Sequence, residues 1–343
     1  GRRPEPVGAS PLPAAAPEPV PATPEPVPAT PEPEEEPAFR FRPKVCSSYM
    51  REIFGDTMVE TWFSLVDAVM AGEDSFACPD AETYYWVMGQ FPELCFPVLD
   101  GMLDYAGRLD EPVVDGVARF EYRISREEAA ARIAAFAGQV EEILNETLEP
   151  DDSDFEKALA LYEYCTKNWL YEPEDPGGES PETADGPRGS RVFTEGRGVC
   201  REISAAYSYL LLQAGADASV VYGERSGDGA LHQWSCVRIN GRHYHVDPTY
   251  GLGGGELDYF LMDDAQREAA DGYRREDFVF CSSYAQEHPH PAYIADDASF
   301  QPLRGGRCGG FDRESRTLLC VVTDENGREE TLVFDYGGWE DAA

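Results

Sequence analysis

Residues 198–250 read GVCREISAAYSYLLLQAGADASVVYGERSGDGALHQWSCVRINGRHYHVDPTY. Ile203, Ala206, Tyr207, Leu210 and Ala214 recur at offsets of three and four, the apolar stripe of a helix with one face on a core. Gly215 follows as a helix stop. Cys200 lies three residues before Ile203, in the first turn and on the core-facing side. The unpaired N–H groups of a helix start carry partial positive charge. A thiol held there titrates below its free value of about 8.5, so more of it is thiolate at neutral pH.

The segment VVYG reads as a strand, and a hairpin follows it. Asn240-Gly241 is the strongest two-residue turn signal between two strands. Closing on that turn pairs Ile239 with Arg242, Trp234 with Asp247 and His232 with Thr249. His232 and Asp247 then share one face as diagonal cross-strand neighbours, roughly 7–8 Å apart and within side-chain reach. Val237, Ile239, Tyr244 and Val246 take the opposite face and suit a core. The pattern sets an imidazole beside a carboxylate on a rigid support, with a helix-start cysteine near in sequence.

Three motifs in order carry a family resemblance: Gly198-Val199-Cys200, then His232-Gln233-Trp234, then Tyr244-His245-Val246-Asp247-Pro248-Thr249. The stretch from about Phe155 to Phe260 resembles the transglutaminase-like superfamily, whose fold is related to papain-like cysteine proteases. The resemblance implies that Cys200 is a nucleophile, His232 its base and Asp247 the group that orients the base. It also implies that Trp234 walls the substrate site, although a strand tryptophan also suits a core. The Cys200 backbone N–H is the first expected oxyanion donor.

Outward from this stretch the chain changes character. Fourteen of the 27 prolines fall in residues 1–43, and PEPVPAT occurs twice, at Pro17 to Thr23 and Pro24 to Thr30. Such a segment buries no core and reads as a disordered, extended linker. It suits a tether on the outside of a cell, with any anchor lying before Gly1, so the expected location is extracellular or cell-surface. Residues 44–150 read as a helical leader with one strand, similar to the leader of bacterial transglutaminase-like proteins. Phe54, Met58, Trp62, Leu65 and Val69 suggest a helix within Val45 to Val69, and a second helix spans Ala81 to Gln90 until Phe91-Pro92-Glu93 breaks it. Val117 to Ile124 alternates as a half-buried strand, and Ser125 with Glu128 opens a helix through Leu144. Residues 151–300 form the expected catalytic core. There Ser153 with Glu156 opens a helix to about Trp169, and Pro173 to Ser190 is a loop before Cys200. Tyr259 to Met262 resembles the strand that follows the D-x-T motif in that family. Residues 301–343 hold a β-hairpin about Asp324 to Gly327, expected to complete the sheet.

The net charge of −37, from 28 basic and 65 acidic residues, argues against nucleic acid and anionic membranes as partners. No apolar run has the length of a membrane span. Cys236, His243 and His245 also lie on the His232 face, in a pattern that zinc can use, but the triad is the reading adopted and no metal or cofactor is expected. Nine cysteines leave Cys200 free and allow up to four disulfides or a set of buried thiols.

The expected fold is α+β and papain-like, with a cysteine-bearing helix packed on an antiparallel sheet. The expected activity is thiol-based acyl chemistry on protein or peptide amides by a monomer. Hydrolysis, deamidation and transfer to an amine all pass through one thioester. The alternative is a catalytically silent protein-binding module on the same fold.

Overall fold

The computed structural model describes residues 37–108, 110–172 and 190–342. The Ser47 hydroxyl accepts from the Met50 N–H and starts α1, Ser48–Phe54. Gly55 then takes φ 81° and α2 begins at once, Asp56–Met70. The apolar run read as one helix is therefore two, because a glycine at positive φ turns the chain between them. After β1 (Ser75–Ala77), Asp80 caps α3 (Ala81–Gly89). The next helix, α4 (Phe91–Cys95), occupies the expected break at Phe91-Pro92-Glu93. Proline is tolerated in a first helical turn, where the missing N–H had no partner to lose. Strands β2 (Leu103–Tyr105), β3 (Val113–Val114) and β4 (Val117–Tyr122) follow. Ala118 and Phe120 of β4 are buried, and β4 pairs antiparallel with β1, β2 and β3. Ser125 then caps α5 (Arg126–Thr147), which buries Ile133, Phe136, Val140 and Leu144.

The second half builds the support of the candidate site. Ser153 and Glu156 form a reciprocal capping box at the start of α6, Asp154–Asn168. Strand β5 (Leu170–Tyr171) pairs parallel with β6 (Arg197–Gly198), and α7 (Arg191–Glu195) lies between them in sequence. The loop expected at Pro173 to Ser190 falls outside the described residues up to position 189. Helix α8 runs Cys200–Gln213, as its stripe predicts. Strands β7 (Asp217–Glu224), β8 (Leu231–Ile239) and β9 (Arg242–Val246) follow, then α9 (Asp264–Asp271), β10 (Val279–Phe280) and α10 (Tyr284–Glu287).

The sheet order is β10-β7-β8-β9, antiparallel throughout. Its hairpin has the expected register, Ile239 opposite Arg242 and Ser235 opposite Val246. Asn240 and Gly241 take φ values of 51° and 75°. Both turn residues at positive φ match the twist of the flanking strands. Helix α8 lies on this sheet through polar as well as apolar contacts: Ser235 Oγ donates to Ser204 O, and Ser208 Oγ donates to Ser219 O, each at 3.0 Å. The fold is thus α+β with a cysteine-bearing helix on an antiparallel sheet.

Three boundaries differ from the sequence reading. Residues 37–43, expected to belong to the linker, group with the compact unit Pro37–Ala343. Phe39 and Phe41 pack on the core, Phe39 N–H donates to Asn145 Oδ1, and Arg42 N–H donates to Gln213 Oε1. These phenylalanines supply the apolar surface that the Pro/Glu/Ala repeat lacks. Tyr259 to Met262 is no continuous strand; Met262 forms a single two-bond bridge with His245. The C-terminal hairpin, β12 (Thr317–Thr323) with β13 (Glu329–Asp335), does not complete the central sheet. It joins β11 (Gly306–Asp312) in a separate three-stranded sheet, followed by α11 (Tyr336–Ala342).

Candidate active site

The turn before α8 is tight. A Cβ on Gly198 would lie 2.8 Å from Val192 Cγ2 and 3.0 Å from a Glu202 carboxylate oxygen, so that position takes only glycine. Glu202 reaches back to the Val199 N–H at 2.9 Å and closes the helix start. Arg191 holds the same carboxylate through two N–H groups. Arg201, next to Cys200, is gripped by the buried Glu93 of α4 at 2.5 and 2.6 Å. The helix end that presents Cys200 is therefore fixed by charge-assisted bonds from two directions.

His232 and Asp247 meet as their register predicts. His232 Nε2 lies 2.6 Å from Asp247 Oδ2, with Asp247 fully buried and His232 nearly so. The imidazole also faces the Cys200 thiol, and the two groups shift each other's titration. With Nε2 taken by Asp247, Nδ1 is the nitrogen left for sulfur. Tyr250 stacks flat on the imidazole, with ring centroids 4.5 Å apart and planes 8° from parallel. The Tyr250 N–H donates to the other Asp247 oxygen at 3.2 Å.

Burial by itself favours the neutral forms of all three groups. It lowers the His232 pKa, but the charge and hydrogen bond of Asp247, with those of Cys200, outweigh it and push His232 up to about 9. Burial raises the Cys200 thiol, yet the His232 hydrogen bond and charge and the N–H groups of Gln233 and Arg201 bring it below its ordinary value. Burial raises Asp247, yet the charges of His232 and Arg267 and bonds from His232 and Tyr250 hold it below the usual carboxylate range. The arrangement suits a thiolate, an imidazolium and a carboxylate in one line.

Arg267 of α9 (Asp264–Asp271) lies outside the motifs that the sequence analysis singled out. It is fully buried, with Nη2 3.1 Å from Asp247 Oδ2. Its guanidinium lies 4.5, 5.4 and 4.7 Å from the ring centroids of Trp234, Tyr250 and Tyr273. Trp234 is fully buried behind His232, and its indole N–H donates to His245 Nδ1 at 2.9 Å. His245 turns its other nitrogen to Asp264 Oδ1 at 2.8 Å. His243 bonds the Tyr49 hydroxyl, and Cys236 donates to the same oxygen. Cys236, His243 and His245 are thus engaged in protein contacts, and no group of three metal-ligating side chains occurs among the described residues. All nine cysteines are free; six are buried, while Cys46, Cys200 and Cys308 are partly exposed.

Comparison with known proteins gives two findings. Residues 141–248 match the model of the transglutaminase-like superfamily. A solved structure from Cytophaga hutchinsonii, described as "a Putative Cysteine Protease", shows 16% identity and a TM-score of 0.28 over 37% of this chain. This chain covers 40% of that protein, an overlap too slight to argue from. No curated protein matches the chain at a significant level. Cys200, His232 and Asp247 all lie within residues 141–248, and this segment forms a domain of the transglutaminase-like superfamily.

Proposed function

We propose that the protein is a thiol-dependent enzyme that attacks amides of proteins or peptides through Cys200, His232 and Asp247. The observation behind this function is the unbroken line of contacts from thiol to imidazole to buried carboxylate, with the outer pair at 2.6 Å. The Cys200 thiolate adds to the amide carbonyl carbon, and the His232 imidazolium passes its proton to the departing amine. A thioester on Cys200 remains. Water or a second amine then attacks it while neutral His232 takes up the incoming proton. Asp247 keeps the imidazole in one orientation and one tautomer through both halves. Trp234 backs the imidazole from the buried side. Leu170 and Tyr171, exposed on β5, and Leu231, exposed next to His232, offer apolar ground to a polypeptide substrate.

Mass spectrometry of a mixed protein substrate, with and without an added primary amine, tests this function. New peptide termini name hydrolysis, glutamate at former glutamines names deamidation, and amine adducts name transfer. Absence of all three with native protein, while partners are still retained, favours the silent binding module.

A further inference from the structure

Arg267 stands where no surface arginine belongs. Its side chain is fully buried on α9, boxed by Trp234, Tyr250 and Tyr273. None of its guanidinium nitrogens has a hydrogen-bond acceptor at proper geometry among the described residues. What it has is charge contact: Asp247 Oδ2 at 3.1 Å and Asp271 Oδ2 at 3.5 Å. The same Asp247 oxygen accepts the His232 ring nitrogen. One carboxylate oxygen is therefore shared by two cations of different kinds.

The difference between them is permanence. Arginine does not lose its proton in proteins. Imidazole does, and in the chemistry proposed above it must, each time the leaving amine is protonated. At that moment a buried carboxylate with only a neutral imidazole beside it is driven to bind a proton itself. A protonated Asp247 turns from acceptor into donor, and the tautomer of His232 is no longer enforced. We propose that Arg267 is a positioning residue, the permanent counter-charge that keeps Asp247 ionised while the charge on His232 comes and goes.

The other groups facing Asp247 cannot take this part. Asp271 is negative, and Tyr162 of α6 and Tyr259 are phenols that burial keeps protonated. The Tyr250 N–H is a dipole, not a charge. The three aromatic faces stabilise the guanidinium in place of water, and Asp271 balances part of its charge.

This inference rests on the proposed triad for its purpose, but its test needs no turnover. In His232→Gln the imidazolium is gone for good, and Arg267 alone faces Asp247. Infrared difference spectra between pH 6 and 8, with the matching Asp247→Asn protein subtracted, report whether the carboxyl carries a proton. Asp247 is expected to stay ionised in His232→Gln, to become protonated at pH 7 in His232→Gln/Arg267→Met, and to be ionised again in His232→Gln/Arg267→Lys. Thermal melts verify that each variant is folded. A protonated Asp247 in His232→Gln overturns the proposal, as does an ionised one in the Arg267→Met double variant. Should Arg267→Met not fold, His232→Gln and the lysine variant decide, since a protonated Asp247 in either refutes the role. Absence of amide chemistry in the native protein, with these spectra as expected, would instead count against the function and leave the counter-charge standing.

Discussion

Replacing Asp247 by asparagine removes the carboxylate that holds charge on His232. Free imidazole titrates near 6.5, whereas His232 is pushed up to about 9. A displacement of that size corresponds to about 3 kcal/mol in favour of the imidazolium. The amide supplies no charge to replace it. Burial still favours neutral imidazole, and Arg267, 3.1 Å from the lost carboxylate oxygen, now faces His232 unopposed from that side. These two effects act downward and only Cys200 still acts upward, so His232 in the variant titrates well below its native position. The native folded-state pKa lies above the free value. The charged imidazole therefore stabilises the fold in full below pH 6.5, and that contribution fades as pH rises through about 9. The variant lacks this window. Cys200 loses its neighbouring cation with the same stroke. A thiol at the free value of about 8.5 is about 1% thiolate at pH 6.5. Iodoacetamide reacts with thiolate, so labelling of Cys200 at that pH should fall by about tenfold to a hundredfold and recover about tenfold per pH unit upward. Limiting reagent, peptide mass spectrometry and a pH series give the rate, and a thermal melt checks folding. A folded Asp247→Asn protein that labels at pH 6.5 within about threefold of the native rate would refute this chain of charges.

Removing residues 1–36 should leave the melting temperature unchanged, because their Pro/Glu/Ala composition lacks core-forming side chains. Removing residues 1–44 should lower it by about 5–10 °C, since Phe41, packed tilted against Phe96 and edge-on to Phe136, and the Arg42 bonds to Gln213 go with them. Glu93→Gln weakens the fork on Arg201, whose outer side is in solvent, so about 1 kcal/mol and a fall of about 2–4 °C are expected in thermal melts. Slower Cys200 labelling should accompany that fall if the fork steadies the helix start. Trp234→Phe keeps the ring but leaves His245 Nδ1 without its donor, at a cost of about 1–3 kcal/mol in denaturant unfolding. An unchanged midpoint would show that the bond adds nothing to stability.

Much of this molecule is written locally. The stripe from Ile203 to Ala214 needs only helical periodicity, and the register that brings His232 to Asp247 needs only the turn at Asn240-Gly241 and a two-residue alternation. The caps at Ser125 and Ser153 are likewise short-range bonds between neighbours. Each such feature is settled by residues a few positions apart, so the sequence alone determined it. The division at Gly55 shows the limit of that rule, since an apolar run continues across a glycine that turns the backbone. The pairing of the C-terminal hairpin with β11 rather than β9 shows it again, since edge strands choose partners by packing and not by pattern. The candidate site depends on packing most of all. Cys200 reaches His232 only because α8 is seated on the sheet by Ser204 and Ser208 and gripped through Arg201 by Glu93, 108 positions away. Arg267 lies outside the motifs that the sequence analysis singled out. A charge can be buried only where opposite charges and ring faces converge on it, and that convergence is a property of the folded chain, not of any stretch within it.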